Sequence, residues 1–399
     1  MHAVDEMNAT VRLAPAEAVG HTMRAIVHPR YGAPDVLGFE EVERPVPGDD
    51  DVLVRVHAAG ASVGDHHVVS GTPYLIRLSP FGGLPRPRNR VPGTALAGRV
   101  EAVGAKVTTF RPGDEVFGQA GSGAFAEYVV VPARLIAPKP SNLSFEEAAA
   151  VPWAVTALQG LRDAGGLKAG QRVLINGASG GVGTWAVQIA KALGASVTAV
   201  CSTHNVEMVR ALGADEVVDY TKEDFVAGGA RFDLMLDTVG NRSLSECRSV
   251  LVKRGTYVAC SGGGGDWFGP LFRLVGMLVV SLFTSQKLTT FVASPSQEDL
   301  LALKELVEAG KAKPVIERRY LLSEVADALR HVGEGHAHGQ TVILIAGLPR
   351  RAGAGGHATS SGPSEKPSTR RSSARGNGGR SAVPAKVPAK RRATCPVRV

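Results

Sequence analysis

A chain of 399 residues with 44% hydrophobic content can fill a large core, and its length suits about two domains. Its net charge of +8 is uneven: twelve of the 45 Lys and Arg and one of the 37 acids follow Leu348, leaving 33 bases against 36 acids elsewhere. A mildly acidic globule with a basic tail is not a uniformly basic protein. Four cysteines without paired spacing (Cys201, Cys247, Cys260, Cys395) argue against a disulfide framework and fit a reducing cytoplasm.

Residues 1–22 show no period and read as an N-terminal extension, without the basic and apolar segments of a signal peptide. Met23 opens a first strand, "MRAIVHPRYG". "DVLVRVHAAG", "GRVEAVG", "DEVFGQ" and "FAEYVVVP" follow, punctuated by Gly and Pro, and predict a small, antiparallel, barrel-like β domain. Near Ser141 the texture changes, and Ser144 with Glu146 and Glu147 signals a helix start. The apolar runs "RVLIN", "SVTAVC", "EVVDY", "FDLMLDTV" and "GTYVACSG" then alternate with helical segments, as in a parallel sheet covered on both faces.

The turn after "RVLIN" has two readings. Gly177 to Gly181 fits G-x-S-x-G, which presents a nucleophilic serine; Ala178 to Gly183 fits G-x-G-x-x-G with alanine first, which holds a dinucleotide pyrophosphate. The hydrolase reading could draw on Asp237 and His331 but finds no oxyanion loop upstream. The dinucleotide reading needs a strand before, a helix after and a second strand near Ser196, all of which are expected here. Ala178, Ser179, Gly180, Gly181, Val182 and Gly183 then form a cofactor turn, with helix-start amides facing phosphate. About twenty residues on, where an NAD site carries Asp or Glu, stand Ser202, Thr203, His204 and Asn205. Donors in place of a carboxylate favour NADPH, with NADH possible because no fixed cation stands among them.

Further along, the apolar run Leu271 to Phe283 includes Arg273, is too short to span a bilayer, and reads as a buried helix or a pocket wall. A helix, "EDLLALKELVEAG", and a last strand, "TVILIAG", are expected to return the chain to the first domain. Residues 348–399 lack large apolar side chains and predict a disordered tail. Its basic clusters could touch nucleic acid or an acidic surface, although a solvated tail is the plainer reading.

From about Met23 to Ala346 these motifs, with "VPGT", "RPGDEVFG", "INGASGGVGTWAVQIAKALGA" and "LGADEVVDY", resemble the medium-chain dehydrogenase/reductases, in their zinc-independent quinone oxidoreductase-like branch. The resemblance implies an α/β fold: a GroES-like β-barrel-type catalytic domain over 23–145, completed by about 315–347, and a Rossmann doubly wound parallel-sheet NADP-binding domain over 146–314. The active site would lie between them. Positions where zinc-dependent relatives carry ligands hold Ser62 and Thr94, with no Cys near "VPWAV", so no metal is expected. His66-His67, taken as strand residues facing opposite ways, and His336-Ala337-His338, in a Gly-rich turn, are expected at the surface.

The resemblance also implies site residues. Tyr74 would be catalytic, donating a proton or orienting substrate, unless it packs the cleft wall. Asp65 would be a structural acid, Thr156 would lie near the nicotinamide amide, and Tyr220 would flank the 2′-phosphate. Val239, Gly240 and Asn241, with Ser261, Gly262, Gly263 and Gly264, would end the fourth and fifth strands against the cofactor. Trp153, Ala95 and Gln340 depart from the family pattern, at the substrate pocket and at one cofactor contact. The expected activity is NADPH-dependent reduction of a small quinone, enone or related carbonyl compound, with a homodimer common among relatives. NADP-dependent alcohol oxidation, or a non-catalytic NADPH-binding structural, RNA- or membrane-associated role, stay open.

Overall fold

The structure, a computed structural model, describes residues 22–78, 82–260, 269–335 and 338–345. The cofactor residues expected at Ser261, Gly262, Gly263 and Gly264, the pair His336-Ala337, residues 1–21 and the basic tail lie outside them.

The first sheet runs Ile316–Leu321, Gln340–Leu344, Asp51–Ala61, Ala95–Val103, Glu115–Gln119, Ile136–Pro138, with Tyr128–Pro132 also pairing along Asp51–Ala61. Its first pair is parallel and the others are antiparallel. Alternation along Asp51–Ala61 explains its placement. Val52, Val54 and Val56 enter a core with Leu96, Val116 and Phe125, while Leu53 points the other way, towards Met23, Ala25 and Tyr128. Those residues belong to a hairpin, Thr22–Val27 with Gly38–Glu43, laid over the sheet. The closing strand Gln340–Leu344 does return to Asp51–Ala61, as "TVILIAG" suggested.

The second sheet is parallel throughout, in the order Glu216–Asp219, Ser196–Cys201, Arg172–Asn176, Phe232–Asp237, Leu251–Ala259, Lys287–Thr290. Its apolar runs are buried on both faces. Val173, Ile175, Leu234 and Leu236 pack with Trp185 and Ile189, whereas Leu174 and Met235 pack with Phe225, Cys247 and Met277. The chain order reverses between Arg172–Asn176 and Phe232–Asp237. Connections leave the carboxyl ends of those two strands in opposite directions, which opens a crevice there.

Two expectations fail. The segment with His66 and His67 is a helix, Val63–Ser70, started by a reciprocal Ser62–Asp65 cap and ended by Gly71 at φ +68°. Its two histidines therefore do not face opposite sides of a strand, and both are half-buried. The apolar run Leu271 to Phe283 is largely the helix Gly269–Ser281; Met277 is buried, but Val275, Leu278, Val279, Leu282 and Phe283 are exposed, so the buried-helix alternative fails there. Among the described residues no helix is long and apolar enough to cross a membrane.

Candidate functional site

The crevice is built first from backbone. Strand Arg172–Asn176 ends in Gly177, at φ +86°, where a Cβ would meet Thr238 Oγ1 at 2.4 Å. A Cβ on Gly183 would lie 2.1 Å from the Gly177 carbonyl oxygen, so helix Gly181–Ala192 packs directly on the turn. Gly180 differs: its Cβ would meet only the Gly177 oxygen, at 3.5 Å, and open space beyond. As N-cap it gives the helix no side-chain acceptor. A helix start without a side-chain cap, open on the Gly180 side, fits a pyrophosphate.

The hydrolase constellation does not assemble around Ser179. Asp237, fully buried, accepts hydrogen bonds from Asn176 Nδ2 (2.9 Å), the Tyr257 hydroxyl (2.8 Å) and the amides of Val239 (3.2 Å) and Gly240 (2.9 Å). His331 Nε2 lies 3.0 Å from Glu317. Asp237 thereby shapes the second lip of the crevice: Gly240 turns at φ +74°, and Asn241 Oδ1 accepts from Asn176 Nδ2 at 3.1 Å. Val239, Asn241 and the glycine turn are thus brought together. The neighbouring Cys260 thiol, pushed up to about 12 by burial and then by Asp237, offers no nucleophile.

Beyond the second strand, Ser202–Asn205 form one tight turn with Thr203 and His204 exposed and Asn205 buried. Thr203 Oγ1 donates to Asp219 at 2.6 Å. That bond first, then Thr221 and Lys222, holds the Asp219 carboxyl below the usual range. Lys222 Nζ stands 3.1 Å from Asp219, and Tyr220 is 57% exposed beside it. Lys222 is the cation the sequence reading missed, although "VVDYTK" placed it two residues after a chosen tyrosine.

His338 also escaped that reading. It is a half-buried partner of the Ser202–Asn205 loop, not a surface residue: its Nδ1 lies 3.0 Å from Asn205 Nδ2 and its amide donates to Glu317 at 2.8 Å. Gly339 N donates to the Ser179 carbonyl at 2.9 Å, and Gln340 Nε2 to the Gly181 carbonyl at 2.6 Å. Gln340 therefore holds the helix start.

From Gln340 the site runs into the barrel. Thr341 pairs with Ala61, next to Ser62, and Gly60 pairs with Ala95, next to Thr94. The Trp153 indole Nε1 fills the side of Gly60 where a Cβ would stand, 2.6 Å from that position, with Ala95 adjoining. Two of the three departures, Trp153 and Ala95, thus meet at Gly60, while Gln340 lies at the helix start. Ser62 and Thr94 both bond to Asp65, which is 2% exposed: Oδ2 accepts Ser62 N and Oγ at 2.9 Å each, and Oδ1 accepts Thr94 Oγ1 at 3.4 Å. Burial raises Asp65 to about 6 against these bonds. Among the described residues no group of three or more His, Cys, Asp or Glu is placed to hold a metal.

Thr156 is half-buried in the helix Ala154–Gln159, which follows Trp153 and packs on helix Gly181–Ala192. Tyr74 opens the short helix Tyr74–Leu78. The Arg77 guanidinium lies 4.7 Å from its ring centre and 4.5 Å from that of Tyr31, anchored by Nε donating to Gly71 O at 2.9 Å.

Comparison with known proteins agrees with this geometry. Residues 48–141 match the alcohol dehydrogenase GroES-like domain family, and residues 212–343 match a family described as zinc-binding dehydrogenase. The chain is 35% identical over 357 residues to a 2-methylene-furan-3-one reductase of Solanum lycopersicum, covering 84% of each protein. It is 35% identical to the mitochondrial NAD(P)H oxidoreductase RTN4IP1 of Mus musculus, covering 84% of this chain and 92% of that one. A solved quinone oxidoreductase from Coxiella burnetii superposes with a TM-score of 0.72 at 29% identity, covering 81% of this chain and 99% of that one.

Proposed function

Since the chain belongs to the medium-chain dehydrogenase/reductases, in their zinc-independent quinone oxidoreductase-like branch, we propose that it is an NADPH-dependent reductase of quinones, enones or related carbonyl compounds. The observation that carries this reading is an open glycine cradle whose second-strand end bears hydroxyls, a histidine and a nearby lysine where an NAD site bears a carboxylate. We divide the chain at about residues 145 and 314, with 315–347 returned to the barrel.

When bound, NADPH supplies the hydride. Amides of the turn from Ser179 to Gly183, other than that of Gly180, would hold the pyrophosphate, and Ser202, Thr203, His204, Tyr220 and Lys222 would surround the 2′-phosphate. Val239 and Asn241, at the crevice lip, would border the nicotinamide ribose, and Thr156 would lie near the amide. Tyr74 would be the proton donor to the substrate oxygen or α-carbon, in the role a Lewis acid fills elsewhere.

The exposed stripe Val275, Leu278, Val279, Leu282, Phe283 repeats at helical spacing beside the edge strand Lys287–Thr290, and a second copy of the chain covers it in this reading. A single-chain mass by light scattering at micromolar concentration would refute that pairing. The cytoplasm is the compartment that suits the thiols of Cys201 and Cys260.

Purified protein mixed with 2-cyclohexenone or a naphthoquinone should consume NADPH with a KM at least ~10-fold below that for NADH, a gap of about 1.4 kcal/mol. Equal use of the two coenzymes would overturn the assignment of Ser202–Asn205. Failure to oxidise either with any carbonyl acceptor would overturn the activity.

A further inference from the structure

The segment His338–Gln340 clasps the cofactor loops at three points: the Asn205 side chain, the Ser179 carbonyl and the Gly181 carbonyl. Its own position is firm. Gly339 sits at φ +91° with no room for a Cβ, which would lie 2.4 Å from Val315 O. The His338 amide is tied to Glu317 on strand Ile316–Leu321.

The orientation of the Asn205 amide sets the hydrogen-bond directions along this clasp. Asn205 Nδ2 only donates. It gives one proton to Ser202 Oγ, at 3.1 Å, and the other to His338 Nδ1, at 3.0 Å. His338 therefore presents a lone pair at Nδ1 and carries its proton on Nε2. Because an N–H occupies a lone pair of Ser202 Oγ, the Ser202 O–H is left to donate elsewhere. Without the imidazole acceptor, Asn205 can rotate its amide and offer Oδ1 to Ser202 instead. That oxygen would then claim the hydroxyl proton.

We propose that His338, a residue of the barrel's closing turn, is a positioning residue that acts through Asn205 to keep Ser202 a donor towards an anionic oxygen of the cofactor's adenosine ribose-phosphate. The inference rests on the placement of NADPH above. It makes the grip on the coenzyme depend on a segment outside the nucleotide-binding sheet, and it gives Asn205 a relay role in place of direct contact.

Fluorescence titration with NADPH, together with steady-state kinetics, tests the relay. His338→Ala should raise the Kd and KM for NADPH about 5-fold, the value of one net hydrogen bond of about 1 kcal/mol, with kcat changed less than ~2-fold. His338→Asn places an Oδ1 acceptor near the lost Nδ1 and should restore affinity to within ~2-fold of wild type. Ser202→Ala should cost about as much as His338→Ala, and combining them should add nothing. Equal losses from His338→Ala in both backgrounds, or no rescue by His338→Asn, would overturn the relay while leaving the cofactor site standing. A wild-type protein that binds no NADPH would overturn both.

Discussion

The glycine turn after Asn176 and the loop carrying Tyr74 are held by different forces. In the turn, backbone meets backbone. Gly183 lies against the Gly177 carbonyl, and Gly177 needs a positive φ, so few other residues fit either place. In the Tyr74 loop, one guanidinium spans two rings, and each such contact at a partly exposed position is worth about 0.5–1 kcal/mol. Many side-chain sets could supply as much. A site whose backbone dictates its residues leaves a motif, whereas a site held by exchangeable side chains leaves almost none.

The sharpest way to break this contrast is at the turn. Gly183→Ala forces a methyl into the Gly177 carbonyl and should cost more than about 3 kcal/mol, at the upper end of overpacking penalties, with loss of NADPH binding. Gly180→Ala meets only an ordinary contact, so it should melt within a few degrees of wild type and yet bind NADPH poorly, because its methyl stands where phosphate approaches. Both proteins melting as wild type would show that the turn is looser than its backbone contacts require.

Next is a pH effect on the barrel side. Burial raises the folded-state pKa of Asp65 from 3.8 to about 6, so the folded chain binds that proton more tightly than the unfolded chain does. The stability this adds is complete below about pH 4 and is lost as pH climbs through about 6. Asp65→Asn does not titrate. Urea denaturation should show wild type losing on the order of 3 kcal/mol relative to that variant between about pH 4 and pH 7. Parallel pH curves would mean that the Ser62–Asp65–Thr94 cluster opens to water.

Slightly smaller, and confined to chemistry, is Tyr74→Phe. It should lower kcat about 100-fold, at the low end for general acid catalysis, and leave the NADPH Kd unchanged. An unchanged kcat would reduce Tyr74 to packing against Arg77.

The same physics explains what the sequence disclosed. "RVLIN", "SVTAVC" and "FDLMLDTV" announced their strands because both of their faces are buried, so apolar residues run unbroken. Lys287–Thr290, an edge strand with polar ends, and Gly38–Glu43, a half-exposed hairpin arm, lack that signature and went unread. The helix Val63–Ser70 hides behind β-branched residues and two histidines; its one signal was Ser62 three places before Asp65. His338 was misplaced because its role depends on a residue 133 positions away, and no local pattern encodes that contact.

The route of the closing strand has a cost during synthesis. Gln340–Leu344 lies against Asp51–Ala61, and the whole parallel sheet is made in between. At about 5–20 residues per second, the nascent barrel waits roughly a quarter of a minute to a minute with the Ala58–Ala61 end of one flank bare. Ribosome-bound intermediates of this length should therefore recruit chaperones at that flank, and a chain released early should aggregate there first.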